Sequence, residues 1–595
     1  MTINRYLVEE CLKEGKTILK NIKDCTDLES ARLILYKTVT GIQYERHGKN
    51  SNQCSDHEVI IMRDCARVFR SMIAERSDSL SGFSVSKALW DLSRGVRRDD
   101  LSEGFFAEMT QLFRGLRGVP NSPDPEKSYL DNVSGREAAI ARSDELDTIW
   151  ATMESTMNRY HDGLSDKSIE RRTARRKEIL VALGGSDKNW NDWHWHVRNI
   201  ITTPDVLSSI VALSQSEHEA VTKAVQARIP FGITPYYASL MDNDPQMGRD
   251  MAIRTQVIPP SSYVEPMAAH GENRSAAFDF MLEADTSPVD LITRRYPAVV
   301  ILKPFNTCPQ ICVYCQRNWE IDQAMAPGAM ASKKAIENAC NWIKDHPAVK
   351  EVLITGGDPL AMTDKSIESI LDKIAAIDHV EMIRIGTRIP VTMPMRITPE
   401  LADMLGRYRK PGKRDVALVT HIEHVYEVTP EMVAAIELLK RQGIGVYNQH
   451  VFTFFVSRRF EAAALRRLIR TCGIDSYYTF APKGKDETAD YRVPLARILQ
   501  EQKEESRLLP GSRRTDEPVY NVPGLGKNYL RAYQHRDLLS ILPDGSRVYE
   551  FHPWEKNIVE RSSYVGTDIP ILTYLFRLKD MKENAEDYSS IWYYF

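Results

Sequence analysis

Six short, apolar, β-prone runs alternate with helix-like segments through the middle of this 595-residue chain. They lie at 298–303, 351–355, 382–386, 416–420, 446–455 and 476–480. The segments between them are longer. In 364–377, Ile367, Ile370, Leu371 and Ile374 keep the spacing of one helix face. Strands separated by helices are joined by crossovers and run parallel. The fold class is therefore α/β. Six units predict an open, partial (β/α)6 barrel rather than a closed eight-unit one. Ligands in such folds meet the C-terminal ends of the strands, which gives an independent check on each candidate residue.

The chain is too long for one ordinary domain. Residues 1–185 read as mostly helical, with Phe105, Met109, Leu112, Phe113 and Leu116 at helical spacing and a polar loop at 120–127. No recognisable chemistry falls there. Hydrophobic residues make up 43% and charged residues 27%, as in a soluble globular protein. A formal charge of -3 offers no general attraction to nucleic acid or to an anionic membrane surface. The N-terminus has no apolar signal core, and no apolar run approaches the ~20 residues of a membrane span. A cytoplasmic location is expected.

Of nine cysteines, Cys11, Cys25, Cys54, Cys65, Cys340 and Cys472 are scattered. A disulfide framework is not expected in such a chain. The other three, Cys308, Cys312 and Cys315, fall in Phe305-Asn-Thr-Cys-Pro-Gln-Ile-Cys-Val-Tyr-Cys-Gln-Arg317, just after the first predicted strand. Soft thiolates at this density bind zinc or an iron–sulfur cluster. A structural zinc site or a closed cubane normally takes four protein ligands, and no fourth Cys or His lies nearby. Three thiolates on a four-iron cluster leave one iron open. The bland readings are three buried loop cysteines, or zinc with a distant fourth ligand.

The C-x3-C-x2-C motif resembles that of the radical S-adenosylmethionine (SAM) superfamily, in which the open iron of a 4Fe-4S cluster binds SAM. Further stretches resemble the lysine 2,3-aminomutase family, and in its order. They are Trp190-Asn-Asp-Trp-His-Trp-His-Val-Arg-Asn199, Pro230-Phe-Gly-Ile-Thr-Pro-Tyr-Tyr237, Gln256-Val-Ile-Pro259, Arg295-Tyr-Pro297, Leu353-Ile-Thr-Gly-Gly-Asp-Pro-Leu360, Arg384-Ile-Gly-Thr-Arg-Ile-Pro390, Asn448-Gln449 and Pro523-Gly-Leu-Gly-Lys527. The likeness covers about 186–553. It implies a family segment at 186–290 packing on a radical-SAM barrel at 291–510, followed by 511–595 with the cofactor lysine. By this resemblance Gly356 and Gly357, with Asp358 beside them, receive the SAM amino group, and His421 and Gln449 also contact SAM. Lys527 would hold the aldehyde of pyridoxal 5'-phosphate (PLP), and Arg295 would contact its phosphate. Val299 stands where the family has a second arginine, and Tyr314 where it has a histidine. No cysteine follows Cys472, so the family's C-terminal zinc site is not expected.

At the substrate end, Arg317 matches the arginine that grips the α-carboxylate, for which a planar guanidinium fork is suited. Lysine aminomutases hold the substrate ammonium with two aspartates. Lys483 and Asn521 occupy those places here, a pair resembling the glutamate 2,3-aminomutase branch. An ammonium about 4 Å from Lys483 would be repelled by roughly 4 kcal/mol at an effective dielectric near 20. The plainer alternative is that Lys483 points to solvent, with Lys485 merely making the loop basic.

The resemblance thus implies an amino-acid 2,3-aminomutase, an isomerase moving the α-amino group to the β-carbon, with glutamate giving 3-aminoglutarate. It also implies an electron donor such as flavodoxin or ferredoxin, and a homo-oligomer. Rivals are an aminomutase for lysine or another amino acid, a radical SAM enzyme without PLP, and a non-catalytic binding protein.

Overall fold

The computed structural model describes residues 5–48, 56–120, 133–243, 248–505, 508–553 and 561–595. Cys54 and the 121–127 part of the expected loop lie outside the described residues. The chain divides into two units, one comprising 1–152, 493–508 and 527–595, the other 153–492 and 509–526.

The second unit is built on a sheet whose strands follow chain order. They are β1 (Ile292–Thr293), β2 (Val299–Phe305), β3 (Glu351–Gly356), β4 (Met382–Gly386), β5 (Asp415–Thr420), β6 (Gly445–Val451), β7 (Asp475–Phe480), β8 (Glu517–Val522) and β9 (Gly526–Tyr529). β1 pairs antiparallel with β2, and every later pair to β8 is parallel. Helices Lys333–Lys344, Asp364–Ala375, Pro399–Gly406, Pro430–Arg441 and Glu461–Thr471 make the crossovers. This is a curled half-barrel of radical-SAM type, and β2–β7 are the six strands legible in the sequence. β8 extends them and was not foreseen.

Burial alternates along the strands. Val300, Leu302, Val352 and Ile354 are fully buried among Ile336, Ile343, Ile370 and Ile374 of the helices. The other face, carrying Val299, Ile301 and Lys303 on β2 and Tyr447 and Gln449 on β6, is only half-buried. A parallel sheet covered on both faces lacks such alternation. Here one face packs the helical layer and the other lines the concave side.

In the first unit, helix Glu103–Leu116 is buried over almost its whole length, with the five predicted apolar residues in the core. It is accompanied by an antiparallel sheet of Arg536–Ile541, Arg547–Phe551 and Tyr564–Thr567. Among the described residues, no helix is long and apolar enough to cross a membrane, and the eight described cysteines are free.

Candidate functional site

The three clustered cysteines lie in the loop leaving β2. This loop is held largely by backbone. Ile311 N donates to Gly232 O at 2.9 Å, Val313 N to Gln256 O at 2.9 Å, and Cys315 N to Cys312 O at 3.1 Å. The stretches beginning at Pro230 and Gln256 are thus scaffolds for the cysteine loop. They are fixed in turn: the Thr234 hydroxyl donates to Thr392 O at 2.6 Å, and the Tyr237 hydroxyl to Glu427 Oε1 at 2.6 Å. Trp190 and Trp195 of the tryptophan-rich stretch are buried, with Trp190 against Tyr236. His196 Nε2 lies 2.7 Å from Trp190 O, and burial lowers its pKa to about 4, so it is a neutral core histidine.

Burial pushes the Cys312 thiol up to about 11 and that of Cys308 well above its ordinary value. The neighbouring sulfurs add to both shifts, and all three thiols stand on the one loop that leaves β2. Such a set is costly when empty and favourable around a cationic centre. The donor set therefore fits an iron–sulfur cluster, held by Cys308, Cys312 and Cys315. Next to it, Arg388 Nη1 donates to Cys312 Sγ at 2.8 Å. Tyr314, between the cysteines, donates to Gln256 Oε1 at 3.1 Å and Glu423 Oε1 at 3.2 Å. Burial raises Glu423 to about 8.

Gly356 ends β3 at φ +114, a conformation that favours glycine. A Cβ on Gly357 would sit 2.0 Å from Thr307 O, so the cysteine loop presses directly on this backbone. Asp358 is turned inward. Its carboxylate accepts from Leu360 N (3.1 Å), the Thr387 hydroxyl (2.6 Å) and Arg388 N (2.7 Å), and burial raises its pKa to about 6. It ties the end of β3 to the turn after β4. His421 follows β5 directly, and its ring bonds the backbone of Gln449 on β6. Burial and Arg388 together lower His421 to about 4, leaving it neutral. Gly356, His421 and Gln449 thus stand at or near the C-terminal ends of β3, β5 and β6.

The cationic residues gather on Glu283, which the sequence reading did not single out. Lys303 Nζ lies 2.6 Å from Glu283 Oε1 and 3.5 Å from Glu320, Arg295 Nη2 lies 3.7 Å from Glu283 Oε2, and Arg317 pairs with both acids. Against burial, Arg317 and Lys303 hold Glu283 down at about 2. Lys303 shares the half-buried face of β2 with Val299.

Lys483, after β7, does not point to solvent. It is 7% exposed, and its Nζ reaches Asn318 Oδ1 at 3.2 Å and Glu487 Oε1 at 2.5 Å. Asn521 lies on β8, where its amide donates to Gln316 Oε1 at 3.4 Å. Lys527 is the second residue of a short strand, Gly526–Tyr529, rather than a loop residue. In the first unit, Asp537, Glu550 and His552 bring ligand atoms within 4.8 Å of one another, but both oxygens of Glu550 are taken by Arg76 at 2.6 Å.

The Radical SAM superfamily model matches residues 302–458, from β2 to just past β6. An uncharacterized KamA family protein of Methanocaldococcus jannaschii is 42% identical over 96% of this chain and 95% of its own length. Glutamate 2,3-aminomutase of Clostridioides difficile is 30% identical over 69% of this chain and 90% of that protein. L-lysine 2,3-aminomutase of Clostridium subterminale is 39% identical, but over 47% of this chain and 62% of that protein. With the cysteine loop at the end of β2 and a near full-length relative, the chain belongs to the KamA family of radical SAM proteins, whose chemistry implies a 4Fe-4S cluster and SAM.

Proposed function

We propose that the chain is a PLP-dependent 2,3-aminomutase for an amino acid with an acidic side chain, converting L-glutamate to 3-aminoglutarate. When bound, the cluster and SAM supply radical chemistry, and PLP supplies an aldehyde that carries the migrating nitrogen. The protein's own part is positioning. Cys308, Cys312 and Cys315 hold the cluster. Gly356 and Gly357 present bare backbone to the SAM amino group, while neutral His421 and Gln449 offer hydrogen bonds at neighbouring strand ends. The Arg317 guanidinium takes the α-carboxylate, Arg295 and Lys303 take the phosphate, and the Lys527 amine holds the aldehyde. A low-potential electron donor of the flavodoxin or ferredoxin kind completes the system.

The observation that carries the substrate assignment is the buried Lys483. Arg295, Lys303 and Arg317 face only Glu283 and Glu320, and the phosphate and the α-carboxylate take up that surplus charge. Lys483 stands at the far end of the pocket with Asn521, where an ammonium-binding site would need acids, and the two offer a cation and an amide donor to a side-chain carboxylate. A second reading rests on Glu487, a fully buried acid beside Lys483: if Lys483 is fully engaged, Glu487 receives a substrate ammonium, and lysine is the substrate.

An anaerobic assay of reconstituted protein with an amino-acid panel separates the two. Glutamate turnover is expected to exceed lysine turnover, and Lys483→Asp combined with Asn521→Asp to lower it. Removing one partner of a buried pair costs about 3–5 kcal/mol, so the loss will be plain. Preference for lysine, abolished by Glu487→Gln, establishes the second reading instead. No turnover of any amino acid, with cluster and SAM cleavage intact, overturns the aminomutase assignment.

A further inference from the structure

Arg388 lies in the turn after β4 and is 8% exposed. Its guanidinium is fixed on every side. Nη1 donates to Cys312 Sγ at 2.8 Å, Nε to His421 O at 3.2 Å, and Nη2 to Glu427 Oε1 at 2.7 Å and the Tyr237 hydroxyl at 3.3 Å, with Gln256 Oε1 a further acceptor. Its backbone N–H is held by Asp358. These acceptors come from well-separated parts of the chain, so the fork has no room to swing away from the sulfur. Glu427 is itself shared, accepting also from Tyr237 and from the backbone of Glu423 and His424, which spreads its negative charge.

We propose that Arg388 is a positioning residue that sets the reduction potential of the cluster held by Cys308, Cys312 and Cys315, acting through Cys312. Reduction adds one electron from a low-potential one-electron donor and makes or breaks no bond. The added charge is shared with the coordinating sulfurs. A donor and a cation at one sulfur stabilise the reduced state more than the oxidised one, and hydrogen bonds to sulfur are a known lever on such potentials. Arginine keeps its proton throughout the accessible pH range, so the contribution does not switch off. The inference rests on family membership and the cysteine loop, and stands whether or not the chain uses PLP or glutamate.

The test is a dithionite titration of anaerobically reconstituted full-length protein, followed by electron paramagnetic resonance, with iron and sulfide content measured on the same samples. Arg388→Gln is expected to lower the reduction equilibrium constant at least tenfold, a shift of about 59 mV to more negative potential for one electron. Arg388→Lys, keeping the charge but losing the fork, is expected to shift less in the same direction. Gln256→Glu, which sets a carboxylate against Arg388, is expected to follow it. A purely structural role would alter iron content and leave the midpoint where it was. An unchanged midpoint in Arg388→Gln at full iron content overturns the proposal. Should that variant fail to hold four irons, unchanged midpoints in both Arg388→Lys and Gln256→Glu overturn it equally.

Discussion

Glu283 faces Arg295, Lys303 and Arg317 at once, and the Arg317 and Lys303 charges hold its folded pKa near 2 against an ordinary value of 4.5. A depressed carboxylate pKa contributes stability that is fully present above the unfolded value and is lost as pH falls through the folded one. At about 1.4 kcal/mol per unit, the contribution is about 3 kcal/mol. Glu283→Gln is therefore expected to destabilise the protein by about that amount above pH 5, with the difference from wild type vanishing towards pH 2. Denaturant titrations across pH check this, and a pH-independent difference would show that the loss is not one of charge. Glu283 escaped the sequence reading because nothing local marks it; its partners come from β2, from the segment before β2 and from the cysteine loop. Lys483 was legible as a residue standing where acids were expected, yet its partner was not. Glu487 is four residues on, in the short 3-10 helix Asp486–Tyr491, while Lys483 lies in the irregular segment before it, so no helical spacing rule links the two in the sequence.

At the scale of elements, β2 to β7 were legible because each is an apolar run bounded by polar segments, and the crossovers carry one apolar stripe. β8 was not. It contains Pro518, which cannot donate to a ladder and so argues against a strand, yet it pairs with β7 at Thr479 and Phe480. The scaffolding of the cysteine loop was also hidden, since Ile311 to Gly232 and Val313 to Gln256 are backbone bonds with no side-chain signature. One glycine does announce the contact between β3 and that loop. Gly357→Ala would drive a methyl group to 2.0 Å from Thr307 O, a backbone atom that cannot rotate away. The expected outcome is a loss of about 1–3 kcal/mol in stability, with reduced iron content after reconstitution because the cysteine loop has been pushed out of place. Iron and sulfide analysis beside a denaturation curve measures both. Full iron and unchanged stability would show that the loop gives way without cost.

At the scale of the whole molecule, the first unit is assembled from both ends of the chain. Glu108, on the buried helix Glu103–Leu116, accepts from Arg547 Nε at 2.9 Å and Nη2 at 3.0 Å across 439 residues of sequence, and both side chains are buried. Glu108→Ala leaves a buried guanidinium with its carboxylate removed, a change expected to cost about 3–5 kcal/mol. Hydrogen exchange should then rise together in 103–116 and 536–551. A rise confined to one segment would mean that the two do not open as a unit. The same discontinuity orders events on the ribosome. The N-terminal helices emerge first, but they cannot finish folding until residues 527–595 follow. At about 5–20 residues per second the wait is roughly 20–90 s, during which the half-barrel can close on itself. The end of the chain made first is thus the last to be completed, and its apolar helix faces depend in the interval on chaperones or on their own transient pairing.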